Sequence, residues 1–257
     1  MKNVLFDLPL RRQSLFCALA ASLAVTSSVR AAITWGAAEV FAYDLKMFAL
    51  MDDSSQKVYF QMSGPSNAWF GWGFGADTMQ GYAIILNTGT SVGNYFESIM
   101  QGDVRPQPDS AQEISGTYCA TDGIIYYSLE RALTPVSATH FTFATQPTNF
   151  PLTWAVGTRP YNQHYGRDAA TLTSSNAPSP GFSRVTPGTG TLTLSLTNLL
   201  VNVTNRVEIK TNLNSANWTA LTNLLFNAPC GSQLFTILAN LTVPTTNASA
   251  GFFRVRQ

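Results

Sequence analysis

Apolar and polar residues alternate along much of this chain, in short runs that end at turns. The runs are rich in Val, Ile, Thr and aromatic residues, and Gly, Pro, Asn and Asp stand between them. A period of two is typical of β-strands that bury one face. No stretch keeps a helical period over three turns. Strands are predicted at "KVYFQMSG", "AWFGWGFG", "GYAIILNTG", "GIIYYSLERAL", "THFTFATQ" and "LTWAVG".

The chain is expected to have two folded parts. The first runs of strands predict an all-β fold, an antiparallel β-sandwich over residues 32–172. Residues 173–190 are rich in Ser, Pro and Gly and predict a linker. Alternation resumes in residues 191–257, which predict a small β-sandwich-like module. Because a module of this size has a hydrophobic core that is only marginally stable by itself, we expect it to be stabilised by contact with the sandwich.

The N-terminus has the pattern of a signal peptide over residues 1–31. Lys2, Arg11 and Arg12 precede the apolar run "SLFCALAASLAV", and "SSVRAA" offers small residues for cleavage. The apolar run is shorter than the roughly 20 residues that span a bilayer, and no second long apolar run follows. We therefore expect an exported protein without a transmembrane segment.

The charge composition excludes one class of partner at this stage. Charged residues make up 11% of the chain, against roughly 25% in an average soluble protein. The formal net charge is +1, and no run of basic residues is present. We therefore expect no binding of nucleic acid.

Two cysteines remain after the leader, Cys119 and Cys230. An oxidising compartment would permit a disulfide, but the spacing alone is equally compatible with two separate buried thiols. The absence of a C-x-x-C pair gives no support to a zinc ribbon or to covalently attached haem.

The chain has only two histidines, and neither belongs to a hydrolytic motif. His140 alternates within the predicted strand "THFTFATQ" and is interpreted as structural. His164 stands in "YNQHYGRD", after a strand and among tyrosines and arginines. No G-x-S-x-G elbow or pairing of carboxylates is present, and copper oxygenase chemistry would need more histidines. A catalytic site within this chain is therefore not predicted.

Three stretches, in order, carry a resemblance to a known family. They are "WFGWGFGADTMQGYAIIL" (69–86), "DVRPQPDSAQEISGTYCATDGIIYYSLERAL" (103–133) and "LTWAVGTRPYNQHYGRD" (152–168). Together they resemble the DOMON domain, the sandwich of dopamine β-monooxygenase-type proteins and of the cytochrome domain of cellobiose dehydrogenase. The last module resembles the "W-T … F-Y-R-V" modules that end many secreted bacterial proteins, with Phe253 in place of the usual tyrosine.

The resemblance implies haem b, held non-covalently between Met79 and His164 as axial ligands. Where many members have an acidic residue three places after the methionine, this chain has Tyr82. Met47, Met51, Met62 and Met100 are further thioethers outside the matched turn. The expected cofactor contacts are aromatic walls from Phe70, Trp72, Phe74 and Tyr82, and propionate donors from Arg159, Tyr161, Tyr165 and Arg167.

The resemblance therefore implies an exported b-type cytochrome that passes single electrons to or from an unidentified redox partner. Axial methionine and histidine leave no open position on the iron, which favours electron transfer over oxygenation. The alternative is a haem-free module that binds a carbohydrate or another small ligand in the same aromatic pocket. A surface adhesion scaffold is the third hypothesis.

Overall fold

The computed structural model describes residues 33–102, 104–161, 163–201, 203–210, 214, 216–227, 230, 236–244 and 252–257. The predicted signal peptide lies outside these residues. Among the described residues, no helix is long and apolar enough to cross a membrane.

The described chain is built almost entirely from antiparallel β-strands, so the predicted all-β fold is confirmed. One short 3-10 helix, Phe41–Tyr43, connects the first two strands. The strands are β1 (Ile33–Val40), β2 (Leu45–Asp52), β3 (Lys57–Pro65), β4 (Ala68–Phe74), β5 (Gln80–Leu86), β6 (Tyr95–Gln101), β7 (Ser115–Thr121), β8 (Ile124–Ala132), β9 (Asn149–Thr158), β10 (His164–Asn176), β11 (Gly181–Gly188), β12 (Thr191–Leu200), β13 (Asn205–Lys210), β14 (Thr219–Leu224), β15 (Thr236–Pro244) and β16 (Phe252–Arg256).

The first ten strands form one sheet in the order β6-β5-β4-β9-β10-β1-β2-β3-β8-β7. The sheet curls into a sandwich-like arrangement, because residues from its two halves meet in one apolar interior. Phe60 on β3 lies 5.8 Å from Phe74 on β4, and Phe70 on β4 lies 6.1 Å from Tyr127 on β8, between ring centroids. Aromatic pairs of this kind stabilise the closure of the sandwich.

The remaining strands form two three-stranded sheets, β11-β12-β15 and β14-β13-β16. They share a core that includes Leu194, Leu196, Val207 and Val255. The predicted linker, residues 173–190, is largely strand, because it contains the end of β10 and all of β11. Most residues of β11 are exposed, whereas Ser174 at the end of β10 is buried.

Among the described residues, an apolar cluster and a disulfide join the C-terminal part of the chain to the sandwich. Leu200 and Val203 pack with Leu50 and Tyr59 of the large sheet in a separate apolar cluster. Cys119 on β7 is disulfide-bonded to Cys230, across a sequence separation of 111. The structure thus selects the disulfide from the two alternatives that the cysteine spacing left open.

The predicted strand "THFTFATQ" is wrong. Residues 139–146 have no strand geometry, although Phe141 and Phe143 pack against the interior cluster and His140 is buried. The alternation in this segment reflects aromatic side chains that cover the edge of the core from an irregular connection.

Candidate functional site

The two faces of β4 have different roles. Phe70, Trp72 and Phe74 point into the sandwich interior, whereas Trp69 belongs to a second apolar cluster on the outer face. Successive side chains of a strand point to opposite faces of the sheet. Gly71 and Gly73 therefore share the outer face with Trp69, and that face has a strip of bare backbone.

The glycine strip is closely covered by neighbouring side chains. A Cβ atom at Gly71 would lie 2.8 Å from Ile85 Cδ1, and one at Gly73 would collide with Met100 and Thr153. Glycine at these positions allows the outer apolar cluster to lie close to the sheet.

A cleft of about 510 Å³ opens on this outer face. It has an apolar floor and a polar rim that carries two arginines. Its lining residues are Trp69, Met79, Val104, Arg105, Pro106, Tyr161, Gln163, His164 and Arg167. Its volume lies in the range of about 300–1,000 Å³ that is usual for small-molecule sites.

Met79 reaches the cleft from the turn between β4 and β5. Gly75, with a φ of 86°, opens that turn in a conformation that other residues rarely adopt. The backbone N–H of Gly102 donates to the carbonyl oxygen of Met79 at 2.8 Å and ties the turn to the end of β6. The side chain of Met79 packs on the outer cluster.

His164 reaches the same cleft from the first position of β10. It pairs with Gly157 on β9, and the register shifts between His164 and Gly166. A shift of this kind lets one strand turn a side chain toward a site. Tyr165, between the two, lies against Tyr43, with ring centroids 6.0 Å apart, and does not line the cleft. Met79 and His164 are thus brought to one cleft although they are distant in sequence.

The polar groups of the cleft are held by aromatic and sulfur contacts. Arg167 Nη1 lies 3.3 Å from Met79 Sδ. The guanidinium of Arg105 lies 4.5 Å from the ring centroid of Tyr161, and that ring packs edge-on against Trp69 at 4.7 Å. These contacts place cationic donors beside aromatic surface.

Tyr161 brings an unused hydrogen-bonding group to the cleft. Its side chain is buried, and within the described part of the chain its hydroxyl has no hydrogen-bond partner. Burial raises the pKa of this phenol, and the nearby Arg105 opposes that effect. A buried hydroxyl without a partner is costly unless a ligand or water satisfies it.

Four of the ten residues expected from sequence line the cleft: Met79, Tyr161, His164 and Arg167. Trp69, Val104, Arg105, Pro106 and Gln163 were missed. The missed Trp69 could have been found from strand alternation, since it lies on the same face of β4 as Gly71 and Gly73.

The other six expected contacts do not line this cleft. Phe70, Trp72, Phe74 and Tyr82 are buried in the interior cluster, although Trp72 also borders a void of about 20 Å³ beneath Met79. Arg159 donates hydrogen bonds to the carbonyl oxygens of Ser66, Gly89 and Thr90 and so fixes two turns. Tyr165 is directed away from the cleft, as described above.

A buried polar network behind the cleft was not anticipated. Glu97 on β6 is fully buried, and its carboxylate accepts a hydrogen bond from the Tyr82 hydroxyl at 2.6 Å. It also accepts from the backbone N–H groups of Glu113 and Ile114. The guanidinium of Arg131, also buried, lies 3.8 Å away. Burial raises the pKa of Tyr82 well above its usual value, so this phenol stays protonated and donates.

His140 belongs to the same network. Its Nε2 lies 2.9 Å from Asp109 Oδ2, and its Nδ1 lies 3.3 Å from Glu113 Oε1. The hydrogen bond from His140 lowers the pKa of Asp109. The prediction that His140 is structural agrees with these contacts, although its strand assignment does not.

The network anchors one wall of the cleft. Val104, Arg105 and Pro106 form that wall, and the same segment continues to Asp109, whose N–H donates to the carbonyl oxygen of Glu97 at 2.8 Å. Disturbing Glu97 should therefore affect the cleft as well as the stability of the fold.

Comparison with solved structures finds a likeness in fold, whereas comparison with protein families and with curated proteins finds none. No protein-family model matches the chain, and no curated protein matches it. The chain is similar to the cytochrome b domain of pyranose dehydrogenase from Coprinopsis cinerea, at 12% identity and a TM-score of 0.43. That likeness covers 55% of this chain and 80% of the other.

Proposed function

We propose that the sandwich is an exported b-type cytochrome module that holds haem b between Met79 and His164 and transfers single electrons. One observation carries the proposal: a thioether and an imidazole, distant in sequence, line the same cleft. These two side chains form one of the axial ligand pairs found in cytochromes.

The residues of the cleft fit the cofactor. Trp69 supplies an aromatic wall, and Arg105 and Arg167 stand at the rim, where anionic propionates need donors. The unpartnered hydroxyl of Tyr161 offers a further donor. Arg167 would have to leave Met79 Sδ before that sulfur could serve as a ligand.

The bound haem would supply reversible one-electron chemistry. Met79 and His164 would hold the haem, and a Met/His pair suits electron transfer. Trp69 and Pro106 would exclude water from the apolar part of the cleft. The electron would pass to or from a separate redox protein, in an oxidising compartment that suits the Cys119–Cys230 disulfide.

The test is an absorbance spectrum of the full chain reconstituted with haem b. The wild type should give a sharp Soret band that shifts on reduction. His164→Ala and Met79→Leu should each lose the six-coordinate low-spin spectrum. Tyr165→Ser, at the neighbouring position outside the cleft, and Met100→Leu, another thioether, should keep it. A retained low-spin spectrum in His164→Ala would refute the ligand assignment.

The second candidate is a haem-free module that binds a carbohydrate or another small ligand. The aromatic pair of Trp69 and Tyr161, with an unsatisfied hydroxyl in the cleft, favours it. A colourless protein after exposure to haem, with glycan affinity that Trp69→Ala abolishes, would select this function.

A further inference from the structure

Acidic and basic residues are concentrated in different parts of this chain, although the net charge of the whole chain is close to zero. Residues 32–168 contain twelve Asp and Glu residues against six Lys and Arg residues. Residues 169–257 contain one acidic residue, Glu208, against five basic ones. The C-terminal sheets are therefore a cationic body, although the whole chain has a formal net charge of +1.

Four of those five basic residues lie on one face of the β14-β13-β16 sheet. Val207 on β13 and Val255 on β16 point into the core. Strand alternation puts Arg206, Glu208 and Lys210 on the opposite, outer face. On that face Arg206 stands across from Arg256, Glu208 from Arg254 and Lys210 from Phe252.

Glu208 lies at the centre of this face and contacts three arginines. Its carboxylate is buried, and Arg206, Arg254 and Arg256 lie 3.1, 2.5 and 3.2 Å from its oxygens. The three arginine side chains stay 41%, 31% and 47% exposed. Each guanidinium has more N–H donors than its contact with Glu208 uses. The carboxylate thus holds three guanidinium groups in fixed positions while each side chain stays partly exposed.

Aromatic side chains lie at one end of the same face. The ring centroid of Trp218 is 4.4 Å from the guanidinium carbon of Arg254 and 5.4 Å from Lys210 Nζ. Phe252 pairs with Lys210 in the sheet register. A flat sheet face that combines cations with aromatic rings can bind a sugar ring by stacking and its acidic group by ionic hydrogen bonds.

We propose that this outer face, formed by Arg206, Lys210, Trp218, Arg254 and Arg256, binds an acidic polysaccharide. The recognised groups are carboxylates or sulfate esters carried on sugar rings. Arginine suits such planar or multivalent oxyanions better than lysine does. The site is separate from the cleft and is independent of haem binding.

The test is a titration of the full chain with three oligosaccharides of similar length: an oligogalacturonate, a heparin-derived oligosaccharide and neutral cellohexaose. The first two distinguish carboxylate from sulfate recognition. At least one acidic oligosaccharide should bind, with affinity that falls as salt rises. Cellohexaose should bind at least about tenfold more weakly.

Matched variants distinguish binding by this face from a general effect of net charge on affinity. Arg256→Gln and Arg206→Gln should each weaken binding by about tenfold, as expected for one ionic hydrogen-bonding group. Arg184→Gln removes the same charge from β11, outside this face, and should change affinity less than about twofold. Trp218→Ala should also weaken binding. Circular dichroism should show that each variant is folded, and Arg256, the most exposed of the three arginines around Glu208, gives the least disruptive change.

Several results would overturn the proposal. Equal losses in Arg184→Gln and Arg256→Gln would mean that only net charge matters. Absence of binding to both acidic oligosaccharides would reject the site. Tighter binding to duplex DNA or to anionic vesicles, or salt-sensitive self-association in place of glycan binding, would assign the face to another partner.

Discussion

Replacement of Glu97 tests whether the buried network stabilises the sandwich. Glu97 accepts hydrogen bonds from the Tyr82 hydroxyl and from two backbone N–H groups, and Arg131 is its nearest cation. The substitution Glu97→Leu keeps a side chain of similar size and removes every acceptor. It leaves the Arg131 guanidinium buried without the Glu97 carboxylate.

The magnitude follows from the burial of the pair. Both side chains are 0% exposed, and removing one partner from a buried ion pair costs about 3–5 kcal/mol. Glu97→Gln keeps an acceptor for Tyr82 and should cost less, about 1.5–3 kcal/mol. As a control, Glu39 pairs with Lys46 at 2.8 Å on the surface. Glu39→Gln should cost no more than about 1 kcal/mol.

Urea-induced unfolding, followed by tryptophan fluorescence and circular dichroism, gives the free-energy differences. The order of destabilisation should be Glu97→Leu, then Glu97→Gln, then Glu39→Gln. Should Glu97→Leu unfold within about 1 kcal/mol of the wild type, or no earlier than Glu39→Gln, the network would not stabilise the fold as argued.

Two further predictions concern the Cys119–Cys230 disulfide and the hydrogen bond between His140 and Asp109. Replacing Cys119 and Cys230 by alanine should lower the free energy of unfolding by about 5 kcal/mol, because the bond closes a long loop in the unfolded chain; a loss below about 1 kcal/mol in urea denaturation would contradict this. The hydrogen bond from His140 lowers the pKa of Asp109 from its usual 3.8. The ionised Asp109 therefore stabilises the fold fully above about pH 4, and this stabilisation is lost as the pH falls through the lowered pKa. The melting temperature of the wild type should therefore fall more between about pH 5 and pH 3 than that of Asp109→Asn; parallel curves would exclude this contribution.

Alternation along the sequence was enough to predict the fold class and most strands, because each strand buries one face. It could not say which face of β4 borders a ligand site. Phe70, Trp72 and Phe74 form a regular aromatic row, and an aromatic row is typical of a core as well as of a pocket. The structure assigns that row to the core and puts the cleft on the side of Gly71 and Gly73.

The roles of isolated polar residues were harder to predict from the sequence than the strands were from alternation. Glu97 stands within the strand "YFESIM" as a single carboxylate, and its partners come from distant segments of the chain. His140 lies in an irregular connection that tertiary contacts hold in place, so no local period could locate it. By contrast, Met79 and His164 lie in the connections that follow two predicted strands, and the family resemblance singled them out there.

The segregation of charge shows why a whole-chain total is a poor guide to partners. A formal net charge of +1 argued against nucleic acid as a partner, but acidic and basic residues that lie on separate sheets do not cancel at contact distance. Screening in physiological salt limits the reach of each charge to about 8 Å. A ligand bound at the outer face of β13 and β16 would therefore interact mainly with the charges in contact with it, which are the arginines around Glu208. Charge should consequently be assessed for each sheet face, once alternation has assigned residues to faces.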